Sequence, residues 1–232
     1  MLLPIQATLE TRMRKTAPTP RTRVRRSPEY AHYDRQALYD VIDAAHLCHI
    51  AFHDGNSVHS LPVACWRVGG YLHIHGSTGS RLMQSLCIGM EVSVSICHFD
   101  GLVLARSAFN HSMNYRSAVI YGCFTPINDE TAKLEVLDHF MERLAPGRLH
   151  EIRNGNRKEL GATIVLRLPL AESAVKIRTG GPIDDDKDMD LPAWAGVLPV
   201  VQMKLPAIAE PGLRVATPDY VQAWTAEAYK PA

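Results

Sequence analysis

The segment Gly76-Ser77-Thr78-Gly79-Ser80-Arg81 is the part of the chain best equipped for chemistry. It is predicted to follow a strand and open a helix, where free backbone amides favour an anion. The hydroxyls of Ser77, Thr78 and Ser80 add donors, and Arg81 adds a planar charged fork suited to phosphate. A phosphate monoester fits this set. The segment is not a P-loop, because no Gly-Lys-Ser/Thr follows, and it is not G-x-G-x-x-G. A plain strand-to-helix turn that needs glycine explains the same residues.

Immediately upstream, His73-Ile74-His75 alternates along a predicted strand. Both imidazoles then share one face, with Leu72 and Ile74 on the other. Nine of the eleven histidines fall between His32 and His111. A pair at i, i+2 is how a metal site can begin, yet no third or fourth ligand stands at a telling spacing. A histidine-lined polar pocket, or hydrogen-bonded core and surface histidines, is the simpler reading, and no metal ligands are assigned. Arg106 to Arg116 links two predicted strands and is dense in hydrogen-bonding groups, as site and interface loops often are. Trp194, between Pro192 and Gly196, offers a rigid wall for a planar ligand or a core residue at a turn. No cysteine signature supports a thiol nucleophile, and Gly-x-Ser-x-Gly is absent.

The elements that must position these groups read mainly as β. Asp34 caps a helix whose apolar positions are Leu38, Val41, Ile42 and Ala45. Strands are predicted at Leu47–His53, Val58–Val68 and Tyr71–His75, with hairpin turns at Asp54-Gly55 and Gly69-Gly70. Pro62 marks the second strand as an edge or a bulge. After a short helix, Arg81–Ile88, come strands at Glu91–Cys97, Leu102–Ala108 and Arg116–Ile127, with Asp100-Gly101 as a tight turn. Asn128 caps a longer helix whose apolar face is Leu134, Leu137, Met141 and Leu144, ended by Pro146-Gly147. Late strands are Leu160–Leu170, Ala174–Ile177 and Leu191–Val201, and a short helix begins near Thr217-Pro218. Short strands at hairpin spacing imply an antiparallel barrel covered by helices.

Composition narrows the function. The 232 residues, 46% hydrophobic and 21% charged, suffice for a packed core. No apolar run is long enough for a transmembrane helix. Five scattered cysteines read as reduced thiols, so a cytoplasmic location is expected. Residues 1–30 carry seven basic and two acidic side chains, and read as a mobile or extended basic arm. A solvated tail, or an arm wrapping its own subunit, fits better than a nucleic-acid contact, because the body is not basic.

Several stretches, in order, resemble the pyridoxamine 5′-phosphate oxidase-like family of flavin-binding split barrels, nearest its nitroimidazole reductase-type branch. They are Arg25-Arg26-Ser27-Pro28 through Tyr33-Asp34, Leu72 to Ser77, Gly79-Ser80-Arg81, Asp100 to Ser107, His111 to Ser117, Pro146-Gly147-Arg148 and Trp194 to Pro199. The resemblance runs from about residue 25 to about residue 200. It implies a six-stranded antiparallel split β-barrel with flanking helices over 31–205, followed by a C-terminal extension over 206–232. It also implies a homodimer with FMN at the subunit interface. His75, Gly76, Ser77, Ser80 and Arg81 would hold the FMN phosphate and ribityl chain. Strand Ser60–Cys65, represented by Val63, would pass the isoalloxazine edge. Ser107, Asn114, Tyr115, Arg116 and Trp194 would come from the partner subunit, and His75 is the candidate catalytic group. The implied activity is oxidoreduction of a small molecule; a non-catalytic flavin-binding or sensing protein is the alternative. The family's oxidases follow Gly-Ser-Arg with Lys, where Leu82 stands, and carry Trp-Gly-Gly, an aromatic and then Arg. Here the sequence is Trp194-Ala195-Gly196-Val197-Leu198, which argues against true pyridoxamine phosphate oxidation.

Overall fold

A computed structural model describes residues 16–225. The chain forms strands β1 (Ala31–His32), β2 (Leu47–His53), β3 (Val58–Val68), β4 (Tyr71–Ser77), β5 (Glu91–Leu104), β6 (Ser112–Cys123), β7 (Thr125–Pro126), β8 (Thr163–Pro169), β9 (Ser173–Arg178) and β10 (Gly196–Pro199). The helices are α1 (Arg35–Asp43), α2 (Arg81–Cys87), α3 (Glu130–Leu144), α4 (Arg157–Gly161) and α5 (Asp219–Gln222).

Every strand pairing is antiparallel, and the hydrogen-bonded path runs β1-β9-β6-β5-β2-β3-β4-β8-β7, with β10 added to β5. Strands β8 and β9 lie near opposite ends of that path, yet only residues 170–172 separate them. Such a link spans little more than ~14 Å, so the sheet must curl until β8 and β9 lie close together. The link is tied to both sides: Leu170 N–H donates to the Gly70 carbonyl (3.0 Å), and Tyr121 N–H donates to the Glu172 carbonyl (2.9 Å). The result is a mainly β, barrel-like sheet with flanking helices.

Alternation builds the interior. In β4, Leu72 and Ile74 are fully buried, as are Val94 of β5 and Ile120 of β6. Helix α1 starts where expected: the Asp34 carboxylate accepts from Ala37 N–H at 2.8 Å. Its face of Leu38, Val41 and Ile42 is buried against β3, β5, β6 and β9. Each such side chain contributes about 1.5–3 kcal/mol of transfer free energy.

Several expectations are corrected. The sheet has ten strands, not six, although β1 and β7 are only two residues long. The two strands expected around Asp100-Gly101 are one 14-residue strand, β5, with a register shift between Phe99 and Gly101. A bulge and a hairpin turn both call for glycine, so the dipeptide alone does not separate them. Strand β6 begins at Ser112, not Arg116, and β10 covers Gly196–Pro199 only. Leu160 belongs to α4. The cap of α3 is Asp129, which accepts from Ala132 N–H, rather than Asn128.

The inner face of α3 also lies about one residue from the expected stripe. Lys133 donates to the Leu160 and Thr163 carbonyls, the Val136 carbonyl accepts from Trp66, Phe140 packs on Trp66 and His75, and Arg143 caps the end of α1. Two inward cations that satisfy backbone carbonyls hide this face from a hydrophobic count.

Residues 1–15 of the basic arm lie outside the described residues. From Thr19 onward the arm lies against the body. Thr22 is buried, and Arg21 pairs with Glu172 and Glu91 while its guanidinium stands 4.6 Å from the Tyr121 ring centroid. Among the described residues no helix is long and apolar enough to cross a membrane.

Candidate functional site

Strand β3 uses its two halves differently. Residues 58–64 pair with β2, whereas 65–68 pair with β4. Strand β4 pairs with β8 along its whole length. Beyond Cys65 and Ile74 the two strands therefore part. Val58–Ala64 and His75–Ser77 each keep an unpaired edge toward the gap. Cys65 N–H donates to the His46 carbonyl, so alternation turns Val63 and Leu61 toward β2 and leaves Ser60, Pro62 and Ala64 facing the gap. Pro62 thus lacks its N–H where no ladder bond is lost, which accounts for a proline deep in a long strand.

The predicted cradle stands at one end of this gap. Gly76 is required by contact: a Cβ there would lie 2.7 Å from Met83 Cγ. Ser77 Oγ accepts from Gly79 N–H, and Ser80 Oγ caps α2 by accepting from Met83 N–H. Arg81 is exposed and has no hydrogen bond or ion pair among the described residues. Val63 is half-buried on β3, across the parting.

His73 and His75 share a face, as alternation predicts. That face is covered by α3, and sequence reasoning missed the aromatic groups that meet them there. Trp66 lies 5.8 Å from His73 and 5.6 Å from His75 between ring centroids, and Phe140 lies 4.9 Å from His75. Burial pushes the His73 pKa down to about 4, helped by the nearby Arg167 charge, and burial also lowers His75. Both are neutral at pH 7. The Nδ1 atom of each is buried without a hydrogen-bond partner, a costly condition that a ligand can relieve. The other histidines disperse: His98 Nε2 meets the Val41 carbonyl, and His111 Nδ1 meets the Ser107 carbonyl. Among the described residues no group of three or more His, Cys, Asp or Glu is placed to hold a metal ion.

The remaining predicted residues gather elsewhere, around β5, β6 and β10. Ser107 Oγ accepts from Asn110 N–H. Tyr115 is half-buried. Arg116 forms a two-pronged pair with Asp100, both contacts 2.9 Å. Asn114 is buried, donating to the Gly180 carbonyl and accepting from Arg178, so its amide braces the chain's own loop. Trp194 is 64% exposed, and its ring lies where a Gly196 Cβ would be, 2.7 Å away. Arg106, at the head of the linking segment, and Asp184, which the sequence did not offer as a site residue, anchor this region: Asp184 accepts from Arg106 N–H (2.8 Å) and guanidinium (2.9 Å).

Strand order separates this group from the cradle. Three inter-strand steps divide β4 from β5 and four divide β4 from β6, ~14–19 Å around the wall at the usual spacing. No strand pairing joins the two groups directly.

Residues 34–177 match the pyridoxamine 5′-phosphate oxidase family. The chain belongs to that family. Among solved structures, a flavocytochrome from Azotobacter vinelandii is 35% identical, with TM-score 0.86 over 90% of this chain and 98% of that one. An FAD- and heme-binding protein from Mycobacterium smegmatis is also 35% identical, with TM-score 0.80 over 84% of this chain and 97% of that one. A candidate 5-nitroimidazole antibiotic resistance protein from Bacteroides thetaiotaomicron shares the fold, at 18% identity and TM-score 0.54 over 63% of this chain and 86% of that one. No curated protein matches the chain significantly. The family is flavin-binding.

Proposed function

We propose that this chain is a cytoplasmic, homodimeric redox protein that holds a flavin in the gap between β3 and β4 and carries a heme as second cofactor. One observation carries the reading. Two neutral histidines with buried, unpartnered Nδ1 atoms stand beside the gap, in a chain that follows a flavocytochrome and an FAD- and heme-binding protein over nearly their whole lengths.

The residues fit a flavin. Arg81, Ser77 and Ser80 take its phosphate, and the unpaired backbone of Ser60 and Ala64, with Val63 beside it, takes the ring edge. The cradle suits a single phosphomonoester, as in FMN; FAD would present the same end, and the mass of the released cofactor decides between them. A heme would be held through a neutral imidazole, which His75 or His73 would supply beside Trp66 and Phe140. When bound, flavin and heme supply hydride and one-electron chemistry. The protein excludes water with α3 and keeps His75 uncharged.

A second copy completes the flavin site. Met113, Leu102 and Leu198 stand in one lateral row across β6, β5 and β10, 54%, 39% and 44% exposed. Such a row is what a partner covers, and it lies beside Ser107, Tyr115, Arg116 and Trp194, which would then cap the neighbour's flavin. The five cysteines are all free thiols, in keeping with a reducing cytoplasm. The substrate is a small molecule reached through the flavin, with a reduced nicotinamide as donor.

The test is an absorbance spectrum of purified protein, before and after anaerobic NADPH, with the released cofactors weighed. Flavin bands that bleach, together with a heme Soret band, are expected. His75→Ala, or the His73→Ala/His75→Ala pair, should lose the Soret band and keep the flavin, while Arg81→Ala should weaken flavin at least tenfold. Colourless protein, or a Soret band indifferent to both histidines, refutes the assignment.

A further inference from the structure

Between β10 and α5 the chain runs from Val200 to Pro218 without helix or strand. Both ends of this segment are tied down. Val200 N–H donates to the Asp100 carbonyl (3.0 Å), and the Tyr220 hydroxyl accepts from Arg148 and donates to Glu151. In between, the Lys204 ammonium stands 4.7 Å from the Trp224 ring centroid. The segment is a strap laid along the body, yet every residue from Val200 to Thr217 is exposed. With Lys204 turned toward the body, alternation along an extended chain turns Met203 and Leu205 outward. They are 70% and 64% exposed, and Ile208 is 98% exposed.

A single large apolar side chain in water is ordinary, but a contiguous run of them marks a contact surface. With Val201, Leu213 and Val215, these three present apolar area of the order of the ~800 Å² that one partner brings to a standard interface. Only Lys204, Glu210 and Arg214 carry charge between residues 200 and 217, so the strap suits an apolar surface and not a nucleic acid or an acidic peptide. Pro206 and Pro211 interrupt any ladder, so it docks through side chains and not as an added strand. A matching surface adjoins it: the strap continues directly from Leu198, one end of the exposed Met113, Leu102 and Leu198 row. In a twofold dimer that row and the two straps meet around one axis, each facing its equivalents.

We propose that residues 200–215 clasp a second copy of this chain, each copy laying Met203, Leu205 and Ile208 on the other's β6–β5–β10 row. The inference rests on the homodimer reading above and adds the element that locks it.

The experiment is analytical ultracentrifugation of the full chain as purified, over a dilution series. Wild type is compared with Met203→Asp/Leu205→Asp/Ile208→Asp and with Met113→Asp. A wild-type dimer is expected, and three charges in place of apolar contacts should raise its dissociation constant at least a hundredfold. Thermal melting checks that the triple variant is folded, and Met203→Ser/Leu205→Ser/Ile208→Ser serves if it is not. Hydrogen exchange gives a second readout: the amides of residues 201–209 should be protected in the dimer and exchange freely once wild type is diluted to monomer. A triple variant that dimerises as tightly as wild type overturns the clasp, and dissociation by Met113→Asp alone would then leave the homodimer reading standing. Protection of 201–209 that ignores dilution shows that the strap serves its own chain, and also overturns the clasp. Wild type that is monomeric at every concentration overturns the homodimer reading and the clasp with it.

Discussion

Replacing Gly101 with alanine should loosen β10 and, with it, the base of Trp194. Gly101 has φ +154°, and a Cβ built there meets the Leu198 carbonyl oxygen at 2.7 Å and Pro199 Cα at 3.1 Å. Both are backbone atoms of a strand paired over only four residues, Gly196–Pro199 against Gly101–Leu104, so neither can swing aside as a side chain would. Normal contact needs ~3.5 Å, and β10 must retreat by most of an ångström, stretching its ladder. The unfavourable φ costs ~1–2 kcal/mol. Weakening one or two ladder hydrogen bonds adds ~1–2 kcal/mol. A total near 3 kcal/mol lowers the melting temperature of a chain this size by ~6–12 °C. Scanning calorimetry measures this directly. Gly161→Ala is the control, because nothing lies within 4 Å of a Cβ there and alanine suits the end of α4; its melting point should move by ~1 °C at most. A Gly101→Ala protein melting within ~1 °C of wild type would refute the claim that β10 presses on the bulge.

Other expectations concern anchors around the site. Burial pushes the Asp184 carboxyl up, but the backbone N–H and guanidinium of Arg106 outweigh it and hold its pKa below the ordinary value. Its contribution is therefore present above the unfolded carboxylate range and lost as pH falls through the lower folded value, so below pH ~4. Asp184→Asn should lower stability at pH 7 and flatten the acid limb of a stability-against-pH curve; an unchanged limb counts against the pairing. Asp34→Ala, which removes the cap of α1, should cost ~1 kcal/mol in urea unfolding. Asn114→Ala should destabilise the chain by ~1–2 kcal/mol through loss of the Arg178 and Gly180 contacts, with flavin content per folded chain unchanged; selective flavin loss would return Asn114 to the cofactor site.

Local chemistry was readable before the fold. Asp54-Gly55 and Gly69-Gly70 turn the chain where expected, with Gly55 and Gly69 at positive φ, because a tight turn leaves a residue-level signature. Asp34 and the shared face of His73 and His75 were legible for the same reason. The unpaired edge of β3 was half legible, since Pro62 announced an edge or a bulge and only the pairing shows which. The cover of α3 over the histidines was not readable. Its inner face carries Lys133 and Arg143, whose partners are backbone carbonyls from distant segments. The separation of the two predicted site groups was equally hidden, because strand order is a tertiary fact.

Pro62 carries a further consequence. The open stretch of β3 that would receive a flavin edge is also a template on which any stray strand could build. Proline denies that template one donor and stiffens it, so the gap stays receptive to a small planar guest and poor at recruiting polypeptide. A Pro62→Val chain would regain the N–H, and when stripped of ligand it should self-associate through edge-to-edge pairing. Cofactor occupancy would thereby become a safeguard of solubility as well as of chemistry.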